Sequence, residues 1–261
     1  MAQLVTGPEG RVREVYERLA RRYGPRGWWP ADGPFEVIVG AILVQRTAWT
    51  NVEKALANLK QADALSPAAM RALSAAELAQ LIRPSGFYRS KARKLLAFLE
   101  MLDARFGGDL DRLLAAPADE LRASLLATYG IGAETADAIL VYAARQPFFV
   151  VDAYSRRTFS RLGVRPARET YDAWQRLFEA SLPQDAALYG EYHALIVEHA
   201  KDVCRAEPLC DRCVLAVVCE TGLARHQVAG DERVVQDAAA DDQDVEDFVV
   251  AEDARERVRP A

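Results

Sequence analysis

Four cysteines fall within sixteen residues, CRAEPLCDRCVLAVVC, at Cys204, Cys210, Cys213 and Cys219. Their spacing is C-x5-C-x2-C-x5-C. Thiolates converging in one loop need a cation to offset their repulsion, and both structural zinc and an iron-sulfur cluster answer that need. Spacing alone leaves the two open. A disulfide framework does not suit a chain without an apolar signal core, so the four residues read as metal ligands.

A second stretch, GIGAETADAILVYAARQPFFVVDAYSRR, carries further candidates. Gly130, Ile131 and Gly132 make a Gly-x-Gly turn ahead of a helix, where backbone N–H groups and the helix dipole can hold a phosphate without a lysine. The same turn also serves a plain joint between helices that needs positive φ. Asp152 follows Pro147 and an apolar run, Phe148 to Val151, and heads the next helix. There it is an ordinary N-cap. Its apolar lead-in also screens it from water, as an electrostatic catalyst requires. Glu134 stands on the first turn of the hairpin helix, where an acid suits the dipole.

The elements that must position these residues are helices. Apolar residues recur at helical spacing in VREVYERLARRYG, PFEVIVGAILVQ, KARKLLAFLEMLDARFG, YDAWQRLFEASL and ALYGEYHALIVEHAKDVC, and alternating strand patterns are scarce. The expectation is an all-α protein of about ten helices, in two helical lobes with a groove between them. Residues 33–146 make one lobe, and 1–32 with 147–224 make the other, which holds the cysteines. Residues 225–261 form an acidic disordered tail.

Charge excludes little. The chain of 261 residues has a net charge of -5, but eleven acidic and four basic residues lie from Asp231 onward, leaving 29 basic and 27 acidic before it. The body is therefore mildly basic, and a DNA partner depends on a local patch rather than on bulk charge. No apolar run is long enough for a membrane span, and a cytoplasmic monomer is expected.

Taken together, hairpin, proline, aspartate and cysteine loop in this order resemble the endonuclease III branch of the helix-hairpin-helix (HhH-GPD) DNA glycosylases. AILVQRTAWTNVEKALANL, GFYRSKARKLL and EYHALIVEHAKDVC extend the resemblance over Arg13 to Cys219. It implies that the cysteines hold a [4Fe-4S] cluster, with zinc the alternative, although the first gap is one residue shorter than in typical members. It also implies double-stranded DNA with a damaged base as partner. Gly130, Ile131 and Gly132 would grip a phosphate, Asp152 would be the catalytic carboxylate, and Gln45 and Phe87 would fill or wedge the gap left by an extruded nucleotide. Arg89 and Lys91, with Arg93 and Lys94, form the best basic patch for the backbone.

Bifunctional members carry a Schiff-base lysine at the Glu134 position. Its absence implies a monofunctional glycosylase that uses water. ETADAILVY and VVDAYS are similar to ESADAILCY and VVDKYS of the endonuclease III-like 3-methyladenine glycosylases, which implies an alkylated purine as the released base. Glu134, Tyr154 and Trp49 are base-pocket candidates, alongside Trp28, Trp29 and Tyr88. A uracil or thymine mismatch glycosylase of the same fold, or a DNA-binding member without activity, remain the alternatives. His193 and His199 are expected to pack and hydrogen-bond rather than to ligate metal.

Overall fold

A computed structural model describes residues 7–227, and among them there are helices and no strands. In chain order these are α1 (Pro8–Tyr23), α2 (Pro34–Leu43), α3 (Trp49–Gln61), α4 (Pro67–Arg71), α5 (Ala75–Leu81), α6 (Tyr88–Phe106), α7 (Leu110–Leu114), α8 (Ala118–Leu126), α9 (Ala133–Ala138), α10 (Ala153–Arg161), α11 (Tyr171–Ser181) and α12 (Ala186–Asp202). Three short 3-10 turns lie at Arg83–Ser85, Cys210–Arg212 and Ala216–Val218. A terminal helix over 220–227 takes in the first three residues expected in the acidic tail; the rest of that tail lies outside the described residues. No described helix is long and apolar enough to cross a membrane.

The sequence of α2, PFEVIVGAIL, is apolar on all sides, and a helix of that kind must be surrounded. Every residue from Phe35 to Leu43 is buried. Its one charge, Glu36, pairs with Lys60 at 2.7 Å and accepts from the Asp32 amide at 2.9 Å, so the carboxylate is not left alone inside. α1 reaches across the chain to pack on α11 and α12, and α12 also packs on α10. α12 packs as well on residues 139–143, which follow α9 and themselves pack on α2.

The stretch AETADAILVYAAR, expected as one regular helix, changes pitch. After α9 it widens into a π-type turn, Ile139–Ala143, in which the Ala144 amide donates to the Ile139 carbonyl at 3.1 Å. The wider turn carries Tyr142 to α12, where its hydroxyl lies 2.9 Å from the Gly190 carbonyl. Such turns recur at functional sites.

Lys91 is a correction to the expected basic patch. It is only 2 % exposed, and its ammonium donates to the Leu43 carbonyl at 2.7 Å and the Ser85 carbonyl at 2.6 Å. It closes the C-terminus of α2, where the helix dipole favours a cation, and cannot reach a phosphate. Burial, and then Lys94, lower its pKa to about 8. Arg89 and Arg93 stay exposed. Replacing Lys91 with Met should therefore destabilise the protein by about 2 kcal/mol, because two buried carbonyls lose their donor, while Arg89→Met should change stability by less than about 0.5 kcal/mol. Urea denaturation of both variants checks this, and equal small effects would contradict it.

Candidate functional site

Asp152 occupies the N-cap of α10, where its Oδ1 accepts from the Ser155 amide at 2.7 Å and from the Ser155 hydroxyl at 2.9 Å. It is 9 % exposed. Burial on its own would raise the carboxyl's pKa, but His193 and the two Ser155 donors outweigh it and hold the group below the ordinary aspartate value. Its lead-in is pinned in the core: Phe149 stacks on Phe178 with ring centroids 4.0 Å apart. Gln175 links this lead-in to the hairpin helix, donating to the Phe149 carbonyl at 2.9 Å and to Asp137 of α9 at 2.7 Å. Arg122 of α8 completes the Asp137 site through a paired contact of 2.7 and 3.2 Å. Neither residue stands out in the sequence.

Asp152 opens into a cavity of about 440 Å³ between α2, α9, α10 and α12. Trp28, Trp29, Trp49 and Tyr154 give it aromatic walls, and Glu134 and Asp152 give it acid. The candidates Glu134, Tyr154 and Trp49 are thus brought together, whereas Tyr88 lies outside this lining. The three tryptophans pack on one another at 5.1 to 5.7 Å between centroids. Trp29 has room because residue 40 is glycine, where a Cβ would sit 3.2 Å from the indole nitrogen. The cavity raises the Glu134 pKa through burial first and the Asp152 charge second.

The hairpin lies beside this cavity. Gly130 adopts a φ of 79°, open to glycine and strained for other residues, and a Cβ there would come 2.5 Å from Lys94 Cγ. Gly132 caps α9 with a φ of -96°, and a Cβ on it would meet nothing within 4 Å. Ile131 is buried beneath the turn. Gln45 is committed to the hairpin: its amide donates to the Gly130 carbonyl at 3.2 Å and the Thr135 hydroxyl at 2.9 Å, while its oxygen accepts from Lys94. It is therefore not free to fill a DNA gap in this state, because both ends of the amide are engaged. Phe87 is free. It is 64 % exposed at the head of α6, with the Arg46 guanidinium 5.5 Å from its ring centroid.

The family model for HhH-GPD superfamily base excision DNA repair proteins matches residues 39–184, which run from the second half of α2 through the hairpin and Asp152. The chain belongs to that superfamily. Within the HhH-GPD proteins it is 44% identical over 215 residues to a candidate DNA repair glycosylase of Methanocaldococcus jannaschii, covering 80% of this chain and 95% of that one. It is 30% identical over 217 residues to endonuclease III of Thermotoga maritima, covering 80% and 92%. Among solved structures, 3-methyladenine DNA glycosylase of H. pylori bound to 1,N6-ethenoadenine aligns with a TM-score of 0.64 and 32% identity, over 73% of this chain and 97% of that one.

In this HhH-GPD chain all four cysteines line one small cavity, together with Arg161, Val203 and Pro208. Arg161 holds the loop by donating to the Cys204 sulfur at 3.4 Å and the Ala206 carbonyl at 2.6 Å, and Arg157, one turn earlier on α10, donates to the Cys204 carbonyl at 2.9 Å. Burial, with the neighbouring thiols behind it, raises the Cys213 thiol to about 11, and burial raises Cys219 as well. Free thiolates are thus disfavoured there without a cation. Among the described residues no three His, Cys, Asp or Glu side chains close on a single-ion site. His199 lies alongside, its Nδ1 3.1 Å from the Tyr23 hydroxyl and its Nε2 3.6 Å from the Cys213 sulfur. His193, by contrast, stands at Asp152, 3.5 Å from Oδ2.

The two hairpin glycines should respond differently to a methyl group. Gly130→Ala combines a strained φ with a clash and should lower stability by about 2 kcal/mol, whereas Gly132→Ala should lose less than about 1 kcal/mol, the usual effect of a weaker N-cap. Denaturant midpoints of the two variants measure the difference. The reverse order would mean that Lys94 does not lie against the turn.

Proposed function

We propose that this protein is a monofunctional DNA N-glycosylase that turns a damaged base, foremost an alkylated purine, out of the duplex and hydrolyses its N-glycosidic bond. The observation that carries the reading is the pairing of a buried Asp152, whose carboxyl is held below the ordinary aspartate value, with an acid at position 134, in a cavity walled by aromatic rings. An N3- or N7-alkylated purine carries positive charge. Tryptophan and tyrosine faces attract such a cation, and two carboxyls at the cavity favour it further.

Little acid catalysis is needed, since a cationic base leaves as a neutral one. As the C1′–N bond breaks, its electron pair goes to the base and positive charge develops on the sugar, where the Asp152 charge stabilises it. Water then bonds to C1′, and the proton it sheds passes to solvent. Glu134 has no amine to form an imine, so the product is an intact strand with an abasic site. Lys201 also lines the cavity, with its ammonium 5.9 Å from the Tyr154 ring centroid, and is the amine to examine should an imine form.

Outside the cavity, the amides of Gly130 and Gly132 are assigned to a backbone phosphate and exposed Phe87 to the gap in the stack, whereas the Ile131 amide is taken by the Thr128 carbonyl at 3.2 Å and is not free for a phosphate. Gln45 joins Phe87 only after releasing the hairpin. As the single amide side chain lining the cavity, and with both ends engaged, it does not present a pyrimidine-reading edge. This favours the alkylpurine over uracil or thymine.

The four cysteines are assigned to [4Fe-4S]. They line one cavity together, and a C-x2-C pair flanked by two wider gaps suits the separated irons of a cubane. A bound cluster would neutralise the thiolates and tie residues 204–219 into one loop, held to α10 by Arg157 and Arg161.

Asp152→Asn should abolish release of 3-methyladenine and 7-methylguanine while retaining DNA binding; Glu134→Ala should leave release measurable; and borohydride should trap neither the wild type nor Glu134→Ala on DNA. Thymine-glycol excision with a trapped complex would overturn the monofunctional reading, and uracil release above 3-methyladenine would overturn the substrate order. The purified protein should be yellow-brown with about four irons per chain, and a colourless protein with one zinc would contradict the cluster.

A further inference from the structure

The steps above give His193 no part, yet its position beside Asp152 is closely specified. The carboxylate's Oδ1 is satisfied by Ser155, which leaves Oδ2 facing His193 Nε2 at 3.5 Å. That nitrogen is buried and has no hydrogen-bond partner. The other ring nitrogen, Nδ1, lies 2.8 Å from the Tyr142 hydroxyl, which also reaches the Gly190 carbonyl at 2.9 Å. Tyr142 is itself seated by the absence of a side chain at Gly190, where a Cβ would come 3.0 Å from its ring.

The Tyr142 hydroxyl has one proton to give. If it donates to Nδ1, the neutral imidazole carries its own proton on Nε2, towards Asp152. If it donates to Gly190, Nδ1–H donates to the phenol oxygen, and Oδ2 finds a donor only in the imidazolium. The first arrangement, or the imidazolium in the second, places an N–H on Oδ2; the neutral Nδ1–H tautomer does not. The separation is long for a hydrogen bond, as such contacts often are before substrate tightens them.

We propose that His193 is a positioning residue, whose Nε2–H, set by the Tyr142 hydroxyl, keeps Asp152 Oδ2 ionised and directed into the cavity while α10 holds Oδ1. The inference rests on the reading of Asp152 as the catalytic carboxylate. Other charges act on the same group of residues: Glu134 from α9, Arg156 from α10, and Glu191 from α12, which acts on Tyr142. Lys201 lines the same cavity.

The test is the pH dependence of single-turnover base release, read on duplex DNA methylated with dimethyl sulfate and on duplexes with uracil opposite guanine. Asp152 acts as a carboxylate, so the rate falls as pH drops through its pKa. Removing its donor raises that pKa, and the acid limb must move to higher pH. His193→Phe should slow release about tenfold at neutral pH and move the limb up by about one unit, with DNA affinity unchanged. His193→Gln, which keeps an amide N–H, should recover most of the rate and restore the limb. Tyr142→Phe should move the limb in the same direction by less, and serves as the readout if His193→Phe does not fold. Repeating the profiles in Glu134→Gln separates that second carboxyl. An unmoved limb in both the His193 and Tyr142 variants, with Asp152→Asn inactive, overturns the positioning role alone. Base release by Asp152→Asn would overturn the reading of Asp152 beneath it.

Discussion

A carboxylate kept ionised with almost none of its surface in water is the constraint on which the rest of the site depends. Withdrawing such a charge from water costs several kcal/mol unless donors replace the lost solvent. Asp152 meets this by serving as an N-cap: α10 supplies the Ser155 amide, its hydroxyl and the positive end of a helix dipole. The position is fixed from behind by Phe149 in the core and by Gln175, which joins the lead-in to Asp137 of the hairpin helix. The hairpin helix and the lead-in to the carboxylate are therefore joined by hydrogen bonds through Gln175.

α12 is the second structural determinant. It packs on α1, α10 and the π-type turn, and along its length it presents Gly190, His193 and His199 in succession. The first two receive Tyr142 and face Asp152; the last reaches the cysteine loop. α10 makes the same connection from its other end, with Asp152 at its head and Arg157 and Arg161 gripping the loop. The cysteine loop is thus braced to the helix that carries the carboxylate, although its sulfurs line a separate cavity.

Much of this was legible in the sequence because it is local. The cysteine spacing, the Gly-x-Gly turn, and an aspartate after an apolar run each occupy a short window, and the all-α class follows from periodicity over long ones. The short helices α4, α5 and α7 were missed because five to seven residues hold too few turns to show a period. Other features depend on tertiary placement. Lys91 reads as one more cation on a basic helix, and only the packing of α2 turns it inward. Gln45 reads as a free amide, and only the fold brings the Gly130 carbonyl to it. His193 and Tyr142 are fifty-one residues apart, and the π-type turn that aims Tyr142 leaves no mark in a pattern of apolar residues.

The most direct test of the account is the origin of the oxygen on the product sugar. Base release should be run under single-turnover conditions in water enriched in oxygen-18, and the DNA product weighed by mass spectrometry. If the Asp152 charge acts on a sugar that water attacks, the product is an unbroken strand whose abasic site carries the heavy label at C1′ immediately after release. A strand cleaved by β-elimination, or a protein-linked intermediate preceding label uptake, would contradict it.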